Sequence, residues 1–180
     1  MEGFVRVDVV KASSKGKGQG ANLNIPARIY ESIGRPSTFA LYLDERGRIL
    51  LEPLRTLEKP KVIVGSSAGE IVGQSLDPHR GAQAAKVVPL TRFKEMLRSL
   101  GATTVRVAVR NLHGDTLALV EAGKSAGLYR LPLGVEEALK EILEALGVEG
   151  EPPTSRQKLQ DAIILVEVDG LKARLYIIRP

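Results

Sequence analysis

The residues best suited to form one binding site are the basic residues between positions 11 and 35. This stretch carries five positive charges against a single negative charge, Glu31. Lysines that alternate with glycines can follow a phosphate backbone closely, and such contacts give affinity without sequence information. The stretch therefore indicates binding of a polyanion, and the alternative is a solvated loop that joins two strands. The five basic residues are Lys11, Lys15, Lys17, Arg28 and Arg35.

A second basic cluster follows in the middle of the chain, opposed mainly by Glu95. It could extend a nucleic-acid surface, but the solvated face of a helix is the favoured interpretation. Its members are Arg80, Lys86, Arg92, Lys94 and Arg98.

A candidate ligand loop lies in the segment VGSSAG, at Gly65, Ser66, Ser67 and Gly69. A strand that runs into a Gly/Ser turn can hold an anion with its backbone N–H groups. The segment is neither a P-loop nor a GxGxxG motif, because no Gly-Lys-Ser/Thr follows it. An ordinary turn is therefore the favoured interpretation.

Catalytic chemistry has little support in the sequence. A nucleophile set would have to join Ser67 and His79 to Asp77 or Asp115, without a GxSxG or HExxH motif. His113 precedes a glycine in what we predict to be a hairpin turn. The absence of cysteine excludes disulfides, thiolate zinc sites and cysteine nucleophiles. We therefore predict no enzyme, no catalytic residue, no metal site and no cofactor.

The elements that position the first basic stretch can be predicted from residues 5–53. Alternating valines predict a strand from Val5, and the glycines of SSKGKGQG predict a loop after it. A short strand at 22–25 leads to a helix that Pro26 opens and Gly34 ends. A hairpin with its turn at Asp44–Gly47 completes the unit.

The segment NLNIPARIYESIGRPSTFALYLDERGRILLEP resembles the AbrB-like swapped-hairpin (SpoVT–AbrB) DNA-binding domain. The matching features are the Ile-Pro that opens the helix, the Ile-Gly that ends it, the apolar strand, the turn and the Leu-x-Pro ending. The resemblance covers the first third of the chain. It implies a barrel-like homodimer, all-β with one short helix, with a core between chains that includes Phe39, Leu41, Leu43, Ile49 and Leu51. It also implies DNA binding, which we assign to Lys11, Lys15, Lys17, Asn22 and Arg28.

The basic positions depart from the family pattern. Familiar members have an arginine four residues before the proline and a pair of arginines early in the helix. Asn22 stands at the first position here, and Tyr30 and Glu31 stand at the pair. Arginine is the best bidentate reader of guanine, so its loss puts sequence specificity in doubt more than DNA binding itself.

Residues 60–180 predict a second domain of the α+β class with an antiparallel sheet. RTLEKPK at 55–61 is predicted to link it to a first domain that ends near residue 56. Apolar periodicity predicts helices at 91–100 and 135–146, and alternation predicts hairpins at 104–120 and 163–178. A strand is predicted at 61–65, further short strands at 84–88 and 128–131, and a long loop between positions 66 and 83.

Composition sets the remaining bounds. The net charge is +5 with 43% hydrophobic residues, enough for an aliphatic core. Abundant charge and little Asn, Gln or Met favour a thermophilic source. No run of eighteen apolar residues and no signal-peptide pattern occur, so we expect a cytoplasmic protein.

The favoured hypothesis is a DNA-binding transcriptional regulator, a homodimer or tetramer, whose second domain serves oligomerisation or ligand sensing. One alternative is a metabolite-binding protein or enzyme that acts through residues 60–180. Another is an antitoxin, although such proteins have a shorter, disordered tail. A third is a self-assembling structural protein.

Overall fold

The computed structural model describes residues 4–11, 24–65, 76–100, 104–152, 159 and 161–179, with residues 7–11 described by their backbone alone. The chain divides into two compact units, Met1–Thr56 and Leu57–Pro180. The described residues are mostly β, with four helices and largely antiparallel sheets, so the α+β class is confirmed at this coarse level.

The N-terminal unit is a three-stranded antiparallel sheet with one short helix. Its elements are β1 (Phe4–Lys11), α1 (Ala27–Ser32), β2 (Thr38–Asp44) and β3 (Ile49–Pro53), in the sheet order β1-β2-β3. The predicted strand, helix and hairpin are all present. The predicted short strand before the helix lies largely outside the described residues, and Asn24 and Ile25 are not in a strand. β1 pairs with β2 of the same chain, with a bulge between Arg6 and Asp8.

The C-terminal unit is built on a nine-stranded sheet that also takes in β4 (Arg55–Leu57). The other strands are β5 (Lys61–Val64), β6 (Lys86–Val87), β7 (Val105–Leu112), β8 (Asp115–Ala122), β9 (Ser125–Leu131), β10 (Val148–Glu149), β11 (Ile163–Asp169) and β12 (Lys172–Arg179). The order in the sheet is β10-β4-β12-β11-β7-β8-β9-β6, with β5 also paired to β12. The helices are α2 (Pro78–Ala84), α3 (Leu90–Ser99) and α4 (Val135–Ala145).

The centre of this sheet is antiparallel because its strands are joined by tight turns. Leu112 pairs with Asp115 across a two-residue turn, in which His113 and Gly114 both have positive φ, 46° and 98°. A type I′ turn needs that geometry at both central residues, and it matches the twist of the flanking strands. The prediction that His113 belongs to a hairpin turn is confirmed.

Helices α3 and α4 cover one face of the sheet with their apolar stripes. Phe93 and Leu97 of α3 and Leu139 and Ile142 of α4 are at most 2% exposed. The ring of Phe93 meets Tyr129 of β9 edge-on at 5.4 Å between centroids. The i, i+3, i+4 spacing that predicted these helices therefore corresponds to the faces that build the main core. None of the helices in the described ranges is long and apolar enough to cross a membrane.

The opposite face of the sheet carries a row of alternating charges. Arg174 lies between Glu58 and Glu167, at 3.6 and 3.2 Å. Arg106 lies between Glu167 and Glu121, at 3.6 and 3.5 Å. Each charge faces opposite charges on the neighbouring strands, because the register places Glu167 opposite both Arg174 and Arg106.

Three local expectations were wrong. Residues 78–83, which we predicted to be loop, and Ala84, which we predicted to begin a short strand, form α2. The helix starts here because Asp77 accepts hydrogen bonds from the backbone N–H groups of His79 and Arg80 and Pro78 occupies the first turn. Three residues of the predicted linker form β4, which pairs with β12. β9 begins at Ser125, three residues earlier than predicted, because Gly123 at φ 59° allows a tight turn after β8.

Candidate nucleic-acid interface

Helix α1 is held at its C-terminal end by backbone geometry that only a few residue types favour. Gly34 has φ 85° and Arg35 has φ 53°. Their N–H groups donate to the carbonyls of Glu31 and Tyr30 at 3.0 and 2.9 Å, which satisfies the last turn of the helix. The Tyr30 hydroxyl donates to the carbonyl of Pro36 at 2.9 Å and fixes the chain as it leaves the helix.

The structure places two of the five predicted DNA-binding residues. Arg28 is exposed on α1, which has no buried residue, and no ion pair between described residues engages it. The backbone of Lys11 ends β1 opposite Thr38 of β2. The other three, Lys15, Lys17 and Asn22, lie outside the described residues.

The one carboxylate of the basic stretch has a partner close by. Glu31 accepts a hydrogen bond from Arg35 at 2.6 Å, one helical turn away. Both side chains are more than half exposed, so the pair contributes little to stability. Because of this ion pair, the negative charge of Glu31 offsets the positive charge of Arg35.

One face of the three-stranded sheet leaves apolar side chains open. The register pairs Val5 with Leu43 and Leu43 with Ile49, so these three form a row across all three strands. They are 68%, 40% and 62% exposed, respectively. We call them the Val5–Leu43–Ile49 row. Further along the same strands Phe39 is buried, and Leu41 and Leu51 are half-buried.

The hairpin turn of this unit is organised by Asp44. Its carboxylate accepts hydrogen bonds from the backbone N–H groups of Arg46 and Arg48, at 3.0 and 2.7 Å. It also accepts one from the Arg48 side chain, at 2.5 Å. Burial works to raise the pKa of Asp44, but the backbone and side-chain hydrogen bonds from Arg48 outweigh it and hold the pKa below its ordinary value. The turn therefore depends on Asp44 being ionised.

Tyr42 and Glu52 make the polar contact on the other face of this sheet. The Tyr42 hydroxyl donates to the Glu52 carboxylate at 2.8 Å. Burial of the ring and this bond to a carboxylate both raise the pKa of Tyr42.

The candidate ligand loop of the C-terminal unit is described only at Gly65. Gly65 has φ 62°, and its N–H donates to the carbonyl of Arg179 at 3.5 Å, as an extension of the β5–β12 pairing. Ser66, Ser67 and Gly69 lie outside the described residues.

The two carboxylates considered for a nucleophile set have structural partners, and Ser67 lies outside the described residues. Asp77 caps α2, and hydrogen bonds from the N–H groups of Arg80 and His79 lower its pKa. Asp115 accepts a hydrogen bond from the Arg130 side chain at 2.6 Å. The His79 side chain is exposed. Among the described residues, no three His, Asp or Glu side chains are grouped as a metal site would require.

Part of the second basic cluster is neutralised across the two helices. Lys94 of α3 is 16% exposed and donates to Glu141 and Glu144 of α4. The hydrogen bond to Glu141, together with Glu144, raises the pKa of Lys94. Arg98 also approaches Glu144, at 4.0 Å. Arg80, Lys86 and Arg92 are exposed.

A cavity of about 530 Å³ opens at the start of α4. Its polar lining comes from Asn111, Glu136, Glu137 and Lys140, and its apolar side chains are Val135 and Leu159. The sequence did not indicate this cavity, because it forms where the end of a strand meets the start of a helix.

The sequence analysis also missed the role of Val5 in the Val5–Leu43–Ile49 row. The place of Val5 in a strand of alternating valines could have indicated that role.

Comparisons of the chain with protein-family models, with curated proteins and with solved structures find no match.

Proposed function

We propose that the chain is a DNA-binding transcriptional regulator of the AbrB-like type that acts as a homodimer or tetramer. The residues that contact DNA are Lys11, Lys15, Lys17, Asn22 and Arg28. The observation that carries the proposal is the ion pair between Glu31 and Arg35. Glu31 is the sole carboxylate between positions 11 and 35, so the excess charge of this stretch belongs to its three lysines and Arg28. The proposal implies a cytoplasmic protein.

The Val5–Leu43–Ile49 row supports the homodimer. A unit of 56 residues buries a small share of its surface, and apolar side chains in a contiguous row need a cover. A second copy provides that cover in the swapped-hairpin arrangement that the resemblance implies. Dimerisation also doubles the number of cations that can face one DNA duplex.

The number of these cations sets the expected salt dependence. Four excess cations per chain give eight per dimer, and a dimer that places all eight on phosphates has a slope of log K against log salt of about −7. The test is a fluorescence-anisotropy titration of the full chain against duplex DNA at several salt concentrations.

The double variant Lys15→Ala/Lys17→Ala removes four of these contacts per dimer and should make the slope shallower by about 3 to 4. The matched control, Lys124→Ala/Lys140→Ala, removes two exposed lysines of the C-terminal unit that belong to neither basic cluster, and it should leave the slope unchanged. No binding at low salt, or equal slopes for both double variants, would refute the proposal.

A second candidate function is metabolite binding or catalysis by the C-terminal unit. The cavity at the start of α4 favours it, because about 530 Å³ falls within the size of small-molecule sites. A thermal-shift screen tests it: a ligand of this cavity should raise the melting temperature of the wild type and not of a Lys140→Glu variant. In the first proposal the same unit serves oligomerisation or ligand sensing.

A further inference from the structure

Among the strands that the structure describes, β5 lies at an open edge of the nine-stranded sheet. It pairs with β12 in parallel, Lys61 opposite Tyr176 through Val64 opposite Arg179. No other described strand pairs with β5. An edge without a partner presents a row of backbone donors and acceptors to whatever strand approaches it.

The register shows which backbone groups face outward. The N–H of Gly65 donates to the carbonyl of Arg179, so the odd-numbered residues of this strand turn their N–H and C=O groups toward β12. Backbone groups alternate in direction along a strand. The N–H and C=O groups of Val62 and Val64 are therefore directed at the open edge.

Two of the side chains along this edge are exposed valines. Val62 is 57% exposed and Val64 is 71% exposed, both on the side of the sheet that carries Ile177. Open edges are usually blocked by a bulge, a proline or an inward-pointing charge. The interior of β5, from Val62 to Val64, contains none of these.

Three cations lie on β5, on the segment just before it and at the end of β12 that it pairs with. Lys59, Lys61 and Arg179 are all exposed, and no ion pair between described residues engages them. Glu58 is the one acidic residue between positions 57 and 65, and it is paired with Arg174. An occupant of this edge must therefore offer negative charge.

We propose that the open edge of β5 is a docking site for an extended acidic segment of a partner polypeptide, which adds to the sheet as a further strand. The outward groups of Val62 and Val64 supply the main-chain hydrogen bonds, the two valines supply apolar contact, and the three cations select acidic side chains. A second copy of the chain fits less well, because it would bring the same three cations to both sides of the new pair. This inference does not depend on DNA binding.

The test uses the full chain and a blocked, dye-labelled peptide of alternating glutamate and valine, with binding followed by fluorescence anisotropy. The acidic peptide should bind at least about tenfold more tightly than the matched lysine–valine peptide, because three cations face it. Methylating alternate backbone nitrogens of the acidic peptide should abolish binding, since these variants keep the charge and lose the strand hydrogen bonds. This comparison needs no change to the protein.

Two substitutions locate the site. Val64→Pro removes an outward N–H without touching the β12 pairing, so it should weaken binding about tenfold and leave the melting temperature close to that of the wild type. Lys61→Glu should weaken binding of the acidic peptide several-fold. Its control, Lys86→Glu on the opposite edge strand, makes the same change of net charge and should have no effect.

Five outcomes would overturn the proposal. The first four are no binding of the acidic peptide, equal binding of the acidic and basic peptides, full binding by the methylated peptide, and equal effects of Lys61→Glu and Lys86→Glu. Self-association that Val64→Pro abolishes would also overturn it, because the occupant would then be a second copy. If Val64→Pro fails to fold, the Lys61→Glu comparison and the methylated peptide decide the question.

Discussion

Replacing Ile49 with lysine should separate the proposed homodimer without unfolding the chain. Ile49 is 62% exposed in the single chain, so a lysine at this position costs the isolated unit little. In a dimer that covers the Val5–Leu43–Ile49 row, the same lysine would have to bury an ammonium group. The substitution therefore acts on association much more than on folding.

The magnitude follows from the exposed fractions. The row leaves 68% of Val5, 40% of Leu43 and 62% of Ile49 exposed. Covering these surfaces is worth about 3–5 kcal/mol per chain, at the usual 1.5–3 kcal/mol for burying one such side chain fully. The share of Ile49 is about 3 kcal/mol per dimer, or about a hundredfold in the dissociation constant, before any cost of desolvating the lysine.

Sedimentation equilibrium over a range of protein concentrations measures this effect. The Ile49→Lys variant should dissociate at least about a hundredfold more readily than the wild type. Val87→Lys is the matched control, because Val87 is 73% exposed and belongs to the C-terminal unit. A wild type that is monomeric at every concentration, or an Ile49→Lys variant with the wild-type dissociation constant, would refute the reasoning.

Three further predictions concern stability. Ile142→Ala should lower the free energy of unfolding, measured in urea, by about 3 kcal/mol, because Ile142 is 1% exposed. Lys140→Ala should change this free energy by less than about 0.5 kcal/mol. Similar losses for the two variants would contradict the assigned core. Gly114→Ala should cost about 1 kcal/mol in the same assay, purely from its φ of 98°, since a Cβ there meets nothing within 4 Å. Asp44 has a lowered pKa in the folded chain, so its contribution is present above the unfolded pKa of about 4 and is lost as pH falls through the folded value. Asp44→Asn should therefore flatten the acid side of the stability–pH curve, and an unchanged acid side would contradict that role.

Local patterns were sufficient for the elements that carry their own signals. The apolar stripe of Val135–Ala145 and the alternation of Ile163–Asp169 predicted α4 and β11 within one or two residues. Gly34 marked the end of α1 because few other residues adopt its positive φ. These signals lie within a few residues of the structure that they specify.

Elements that depend on distant partners could not be predicted in the same way. β4 is three residues long and charged at its first position, and it becomes a strand because β12 offers it a free edge. The row of charges from Glu58 to Glu121 joins residues far apart in sequence, so no local spacing of charged residues could predict these ion pairs. α2 is an exception, since the Asp-Pro pair at 77–78 was a local capping signal that the glycine-rich surroundings obscured.

The candidate DNA site was predicted from the charge of residues 11–35 and from the family resemblance. Only the structure shows which of its cations is offset by Glu31. Sequence alone could not say which cation Glu31 would offset. The i, i+4 spacing made Arg35 eligible, and the left-handed backbone after Gly34 determines the direction from which its side chain reaches back.

The place of β12 in the sheet has a consequence for synthesis of the chain. β5 is made early, at residues 61–64, yet its partner among the described strands is β12, at residues 172–179. While the ribosome is still translating the intervening helices and hairpins, β5 has no described strand to join, and closing so long a loop is slow. The N-terminal unit, whose strands are complete by residue 53, can fold during translation, whereas the nine-stranded sheet is completed only after β12 has left the ribosome.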